Sequence, residues 1–252
     1  MVKSTPHLAP ADSAKIGRQD KPQDKPMTLP PFDAILFDFD GTLATSTLDF
    51  DEMRRRLNAL TLSQGIAAAE LKNLYMLELI DHAADWLNQR QAGHGDAYRQ
   101  QADQLIEDIE VEAARTTGLL PGIPELLQTL RQRDIGIGVV TRNCDRAVRI
   151  MFPQIDAYCQ AVFARDHVTH VKPHPAHLHA ALGRLRCTPE QTLMVGDGDM
   201  DIQAGKELNM FTIGVLTGTG SRESLRRRGA DLVLDHAADL LNHLPAAKKD
   251  QT

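Results

Sequence analysis

Cysteine is scarce: the three present, Cys144, Cys159 and Cys187, are odd in number and form no CxxC pair. That argues against a disulfide framework or a cysteine-rich zinc site and favours reduced thiols in a cytosolic, cytoplasmic setting. Also missing is any run near the roughly 18 consecutive apolar residues of a membrane span. An excess of base is absent too. The 28 Lys and Arg against 34 Asp and Glu leave a formal charge of −6, which speaks against a general binder of nucleic-acid phosphates. Residues 1–31 lack apolar periodicity; six prolines and five basic residues there predict a disordered tail. No apolar signal core precedes the globular part, Asp12, Asp20 and Asp24 fit poorly with an acid-poor transit peptide, and Met27 offers an alternative start. A second short tail is expected over 247–252.

What remains is ordinary for a globular chain: 252 residues, 42% apolar and 25% charged, enough for a full core with a smaller insert. The run Ile35-Leu36-Phe37-Asp38-Phe39-Asp40-Gly41-Thr42-Leu43 sets two carboxylates at the end of a short apolar segment. Residues 34–37 suit a strand buried on both faces of a parallel sheet, which puts Asp38 at its carboxyl end. Ligands of open α/β sheets gather there, and side chains two apart on an extended segment face the same way. A solvated Asp-Gly turn remains the alternative for these residues alone.

The segment 44–117 reads as helical. Thr47 is the expected N-cap of a first helix, with Phe50, Met53, Leu57 and Leu60 as its apolar stripe and Asp49, Asp51 and Glu52 near its positive end. A second helix is expected over 70–91, with Leu71, Leu74, Tyr75, Leu79 and Ala83 on one face and Gly93 and Gly95 beyond it. A third is expected over 96–115, with Tyr98, Ala102, Leu105, Ile109 and Ala113. From residue 119 onward helix and strand alternate, as in a parallel sheet with crossover helices. Strands are expected at 135–140, 161–164, 192–195, 211–215 and 232–234. The intervening helices are expected to run from Pro121-Gly122 to 131 and over 145–152, 175–185, 199–209, 221–228 and 237–244.

Three further groups bear chemistry. Thr141-Arg142-Asn143 follows a strand, where a hydroxyl, an amide and backbone N–H groups suit phosphoryl oxygens, or a self-bonded turn. Lys172 stands beside Pro173 and Pro175, which stiffen its aim towards an anion. The nearby His167, His170, His177 and His179 read as a loop and helix face rather than a metal tract, because His177 and His179 cannot share a helical face. Gly196-Asp197-Gly198-Asp199-Met200-Asp201 crowds three carboxylates at another strand end. At ~4 Å and an effective dielectric of ~20, each like-charge pair costs roughly 4 kcal/mol, and a hard cation resolves the clash. Magnesium suits few carboxylates plus a substrate phosphate, whereas the full calcium loop with its distal glutamate is absent. Arg54, Arg55 and Arg56 present either a solvated basic face or one cation towards an acidic substrate. Cys144 lacks the context of a cysteine hydrolase and reads as a bystander thiol.

In order, Asp38-x-Asp40-Gly41-Thr42, Thr141, Lys172 and Gly196-Asp197-x-x-x-Asp201 form a set that resembles the haloacid dehalogenase-like hydrolase superfamily, over about residues 32–244. The segments Gly214-Val215-Leu216-Thr217-Gly218 and Gly229-Ala230-Asp231 resemble its phosphoglycolate phosphatase branch, although His174 stands where that branch often has aspartate. The resemblance implies an α/β fold with a Rossmann-like parallel sheet core, helices on both faces and an inserted all-helical cap. The core would span 32–43 and 118–246, and the cap 44–117. It implies Asp38 as nucleophile and Asp40 as general acid and base. It implies phosphate held by Thr141 and Lys172 with Arg142 and Asn143, and Mg2+ held by Asp38, the Asp40 carbonyl, Asp197 and Asp201; Asp199 stays unassigned. The dehalogenases that named the family generally lack the second aspartate, while its phosphatases keep it. A magnesium-dependent phosphatase acting on a small phosphorylated metabolite through an aspartyl-phosphate is therefore expected, with a phosphoglycolate-like phosphomonoester as the first guess. A β-phosphoglucomutase-like phosphotransferase and a non-catalytic metal or phosphate binder stand as rivals, and no residue signals an oligomeric state.

Overall fold

A computed structural model describes residues 28–71 and 74–245 of the chain. In chain order the elements are β1 (Ala34–Phe37), α1 (Phe50–Ser63), α2 (Met76–Arg90), α3 (His94–Ala114), α4 (Ile123–Gln132), β2 (Gly136–Val140), α5 (Asp145–Met151), α6 (Ile155–Tyr158), β3 (Ala161–Phe163), α7 (Ala176–Leu185), β4 (Thr192–Gly196), α8 (Asp199–Glu207), β5 (Phe211–Val215), α9 (Arg222–Arg228) and β6 (Leu232–Leu234). The six strands are parallel, in the order β3-β2-β1-β4-β5-β6. The first strand therefore lies in the middle, where connections leave to either side, and the crevice at its carboxyl end is the place such sheets bind ligands.

Strand alternation explains why both faces are covered. Ile35 and Phe37 of β1 join Ile137, Val139, Leu193 and Val195 in one apolar cluster with α4 and α5. Leu36 between them joins Val140 and Met194 in another, against Leu178, Ala181 and Leu182 of α7. Period-two side chains thus feed two cores, as an apolar parallel strand requires.

Helices α1 to α3 lie between β1 and β2 and enclose their own cluster around Met53, Leu57, Leu79, Ile80, Ala83 and Tyr98. Inside it the Tyr98 hydroxyl meets the Thr61 hydroxyl at 2.7 Å, so neither is orphaned by burial. The 21 residues of α3 make a rod about 31 Å long, and it serves two cores. Tyr98, Ala102 and Ile106 pack within the insert, whereas Val111 and Ala114 pack on the main core.

Several expectations change. The N-cap of α1 is Asp49, not Thr47, and its carboxylate accepts the Glu52 N–H at 2.9 Å, three residues on. The second helix begins at Met76 after a separate 3₁₀ turn, Ala68–Leu71, because Tyr75 takes an extended backbone that breaks helical continuity. On α3 the buried line runs through Ala102, Ile106 and Glu110, one residue away from the expected Leu105 and Ile109. Phe50 and Tyr75, read as stripe residues, are 43% and 47% exposed. The last helix is a 3₁₀ segment, Ala237–Asn242, and α6 was not foreseen. The expected tails lie outside the described residues over 1–27 and 247–252. Residues 28–31 are described, and Leu29 packs against the main core.

Candidate active site

The two central strands set the floor of the site. In β1 and β4, Phe37 pairs with Val195, and the Asp38 N–H donates to the Val195 carbonyl at 2.8 Å. Asp38 and Asp197 therefore emerge side by side. The chain then turns tightly, with the N–H groups of Leu43 and Ala44 both donating to the Phe39 carbonyl. Gly41 sits in this turn at φ 79°, where a Cβ would come within 2.9 Å of the Gly218 Cα and 3.0 Å of the Asp197 carboxylate. The Thr217 hydroxyl donates to the Gly41 carbonyl, so the loop after β5 is stitched to the first turn.

Three buried carboxylates meet here: Asp38, Asp197 and Asp201 offer oxygens within 4.8 Å of one another. Lys172 lies among them, its ammonium donating to Asp38 and to Asp201 at 2.6 Å each. Its backbone N–H donates to Nδ1 of His177, so Nε2 carries the hydrogen that is given to the Phe163 carbonyl. Buried His177 is thus an internal strut for the lysine loop. Burial alone would lower the Lys172 pKa, but the charges of Asp201 and Asp38 outweigh it and hold it raised. Burial lifts Asp38 to about 7 against the pull of Lys172, with Asp197 and Asp40 adding to the rise. Burial also lifts Asp201 to about 6, and it raises Asp197, where repulsion from Asp201 adds to it. One lysine does not neutralise this group, and an all-oxygen donor set of this kind fits a hard divalent cation. Asp197 is aimed by the Thr219 N–H and hydroxyl, at 2.6 and 3.0 Å from its Oδ2. Asp201 accepts the Gly198 N–H at 3.0 Å at the start of α8.

Asp40 stands apart from the three. Its carboxylate accepts from the Thr141 hydroxyl at 3.2 Å and from the Asn143 amide at 2.9 Å. Its pKa is raised chiefly by burial, against the pull of those two hydrogen bonds. A buried carboxyl that favours its neutral form is suited to giving up a proton. Thr141, Asn143 and Lys172 thus all reach the predicted place, though they touch the two aspartates here.

Arg142, expected among the phosphate ligands, lines the same cavity and is here engaged by the insert. Its guanidinium donates to both Glu78 oxygens of α2, at 2.8 and 2.7 Å, and to the Lys172 carbonyl. Burial pushes the Glu78 pKa up, but the Arg142 hydrogen bonds and charge hold it below the ordinary glutamate value. Arg142 therefore ties the insert to the core. A second tie joins Glu110 of α3 to Arg165, which donates to both of its oxygens at 2.5 Å, while the Cys144 N–H reaches Glu110 at 3.3 Å.

Sequence reasoning missed Glu78, Glu110, Arg165 and Thr219. Only Glu110 left a signal, as an acid on the buried face of an amphipathic helix. Cys144 is a buried thiol pushed up to about 12 by burial and by Glu110, as befits a bystander. Asp199 pairs with Arg228 at 2.9 Å on the surface. His170 and His174 merely stack, and among the described residues the aspartate group alone has metal-ligand geometry.

Above the carboxylates a cavity of about 430 Å³ opens between the strand ends and the insert. Asp38, Asp40, Lys172 and Asp197 form its floor, and Phe50 and Tyr75 stand on the side of the insert.

A family model described as haloacid dehalogenase-like hydrolase matches residues 35–215. The chain is 29% identical over 223 residues to a pyrophosphatase PpaX of Anoxybacillus flavithermus, covering 83% of this chain and 95% of the relative. It is 28% identical to a phosphoglycolate phosphatase of Pseudomonas putida, covering 86% of this chain and 80% of the relative. Among solved structures, a β-phosphoglucomutase of Clostridium difficile superposes with a TM-score of 0.59 at 22% identity, covering 83% and 93% of the two chains. That last likeness supports the shared fold.

Proposed function

Because the chain belongs to the haloacid dehalogenase-like hydrolase family, we propose that it is a magnesium-dependent phosphatase of small phosphomonoesters that works through an aspartyl-phosphate at Asp38. The observation that carries this reading is the pairing of Asp38 with Asp40 on the floor of one cavity, with Lys172 on the first and Thr141 and Asn143 on the second. The donor set fits the metal. Asp38, Asp197 and Asp201, with the Asp40 carbonyl, would hold it, and when bound it would offset the repulsion between the anionic nucleophile and the phosphate.

The residues carry the chemistry as follows. A carboxylate oxygen of Asp38 attacks phosphorus, and the bond from phosphorus to the ester oxygen breaks. Asp40, neutral at the start, gives its proton to the departing alcohol. Water then attacks the phosphorus of the aspartyl-phosphate, its proton passes to Asp40, and Asp38 is regenerated with release of inorganic phosphate. Lys172 steadies Asp38 and faces the incoming anionic oxygens, while Thr141 and Asn143 hold Asp40 on line. Arg142 serves as the tie to the insert.

We further assign residues 32–43 and 118–246 to a catalytic core and 44–117 to a cap that shuts water out of the cavity. The three free cysteines suit a cytoplasmic setting.

Phosphate release from a panel of phosphomonoesters, with and without magnesium, tests the proposal. Phosphoglycolate and pyrophosphate enter the panel through the relatives' names. Release should need magnesium and should vanish in Asp38→Asn. Release that persists in that variant or in chelator refutes the mechanism, and exchange of phosphate between sugar positions without release would favour a phosphotransferase.

A further inference from the structure

The floor of the cavity handles phosphate; what lies opposite decides which alcohol it can release. That side is made largely by the insert, with Leu48, Phe50, Met53, Tyr75 and Leu77, together with Met200 of α8. Phe50 is the first residue of α1 and Tyr75 directly precedes α2, so both rings emerge at helix starts. They are 43% and 47% exposed, and both line the cavity. Large rings left uncovered over a catalytic floor form a surface that a bound apolar group would take out of water. The Arg142 guanidinium lies 5.6 Å from the Tyr75 ring centroid, which keeps that ring beside the core.

Among the described residues charge on this side is balanced in number, Arg54, Arg142 and Arg165 against Asp51, Glu78 and Glu110. Arg142 is spent on Glu78 and the Lys172 carbonyl, and Glu110 on Arg165. Arg54 donates to the Leu74 carbonyl at 2.7 Å, and its charge is the least of the influences on Glu78. Asp51 adds another carboxylate to the lining. An alcohol carrying its own carboxylate, or a second phosphate as leaving group, needs a free cation opposite the floor. Among the described lining residues each guanidinium is already engaged. The volume of about 430 Å³ falls within the range of about 300–1,000 Å³ that accepts ring-bearing small molecules.

We propose that the substrate is a phosphomonoester of a neutral, ring-bearing alcohol, whose ring lies against Phe50 and Tyr75 while its phosphate rests on the aspartate floor. The inference rests on the phosphatase reading and names the substrate class of the same site.

The test compares kcat/KM for benzyl phosphate, ethyl phosphate, phosphoglycolate and pyrophosphate with magnesium, in wild type, Phe50→Ala and Tyr75→Ala. Benzyl alcohol is a leaving group of ordinary alkoxide basicity, so a preference for its ester reports binding rather than intrinsic reactivity. Wild type should favour benzyl phosphate over each of the others by about tenfold or more, the scale set by covering one ring. In either variant the benzyl-to-ethyl ratio should fall by about fivefold to tenfold. Both rings are exposed, so the variants should fold, and the wild-type panel stands without them. A preference for phosphoglycolate overturns the inference while leaving the phosphatase reading intact, and a preference for pyrophosphate, an anhydride, overturns the inference and the ester substrate together while leaving the aspartyl-phosphate mechanism standing. A benzyl preference that survives both variants also overturns it, since the rings are then not its source. Turnover of no ester overturns the phosphatase reading, and the inference falls with it.

Discussion

The two sides of the cavity are built on opposite plans. The floor consists of buried charge at strand ends, and each side chain there is fixed by a partner. Lys172 binds two carboxylates, Thr219 aims Asp197, and Thr141 with Asn143 holds Asp40. The opposite side consists largely of apolar side chains in and just before the insert's helices, two of them exposed rings, with Asp51 and Arg54 beside them. Charge at a reacting centre must be placed closely, and here short loops anchored to the ends of a parallel sheet and braced by His177 and Thr219 do so. An apolar surface tolerates looser placement, so it can be carried by an insert that packs around a core of its own. The contrast assigns reactivity to the sheet and selectivity to the insert.

The sharpest way to break that division is Asp40→Asn. It should cost about 10²–10⁴ in kcat for alkyl phosphates, whatever the alcohol's shape, because a general acid is lost. With 4-nitrophenyl phosphate, whose leaving group needs no proton, the loss should be far smaller. Because Asp40 also serves the hydrolysis step that both esters share, the comparison is made on the rate of ester cleavage in a single turnover by rapid quench, and equal losses there would remove the acid role.

Gly218→Ala comes next. A Cβ there would lie 2.0 Å from the Asp197 Oδ2, so the carboxylate must move. Magnesium affinity, read by activation of turnover, should weaken by about 10- to 100-fold, the usual scale for disturbing the groups that orient a ligand. An unchanged magnesium requirement would mean that Asp197 is not a ligand.

Where the two sides meet, Arg142→Met and Glu78→Gln form a double-mutant cycle. The bidentate pair is partly exposed, so coupling in stability should be only about 1 kcal/mol, measured by denaturant unfolding. Selectivity among esters should degrade more than kcat does. A uniform fall in kcat instead would place Arg142 on the phosphate after all.

Legibility in the sequence follows the same division. Strands, their order in the chain and the four aspartates show because apolar runs and strand-end carboxylates are local patterns. Thr141 and Asn143 stand out for the same reason, and Lys172 through the prolines that flank it. The ties do not: Arg142 and Glu78 are separated by 64 residues and Arg165 and Glu110 by 55, so no local spacing announces them. The α3 stripe was misread because the helix passes from one apolar cluster to the other along its length. Periodicity places Phe50 and Tyr75 on apolar stripes because it reports which face is apolar and not what covers it. The insert's shape depends on packing between helices, and sequence patterns register that weakly.

The effect smallest on turnover concerns the lysine loop, where the change is in acid stability and neutral-pH chemistry is untouched. Burial depresses the His177 pKa from 6.5 to about 3, with Lys172 adding to the drop. The unfolded chain then takes up the proton first, so this contribution to stability is full above pH 6.5 and is lost progressively as pH falls towards 3. Between pH 7.5 and 4.5 the wild type should lose about 2–3 kcal/mol more than His177→Gln, by denaturant unfolding. Asp38, raised to about 7, acts with the opposite sign in metal-free protein, and comparison of the two proteins cancels it. Parallel pH profiles would mean that His177 is not held neutral.

The most direct test of the central claim is to trap the covalent intermediate. Turnover of a phosphomonoester with magnesium is quenched in acid, the acyl phosphate is reduced with borohydride, and the digested chain is read by mass spectrometry. Reduction converts an aspartyl-phosphate to homoserine, which should appear at position 38 and nowhere in Asp38→Asn. Homoserine at position 40, or active turnover with an unmodified Asp38, would contradict the account.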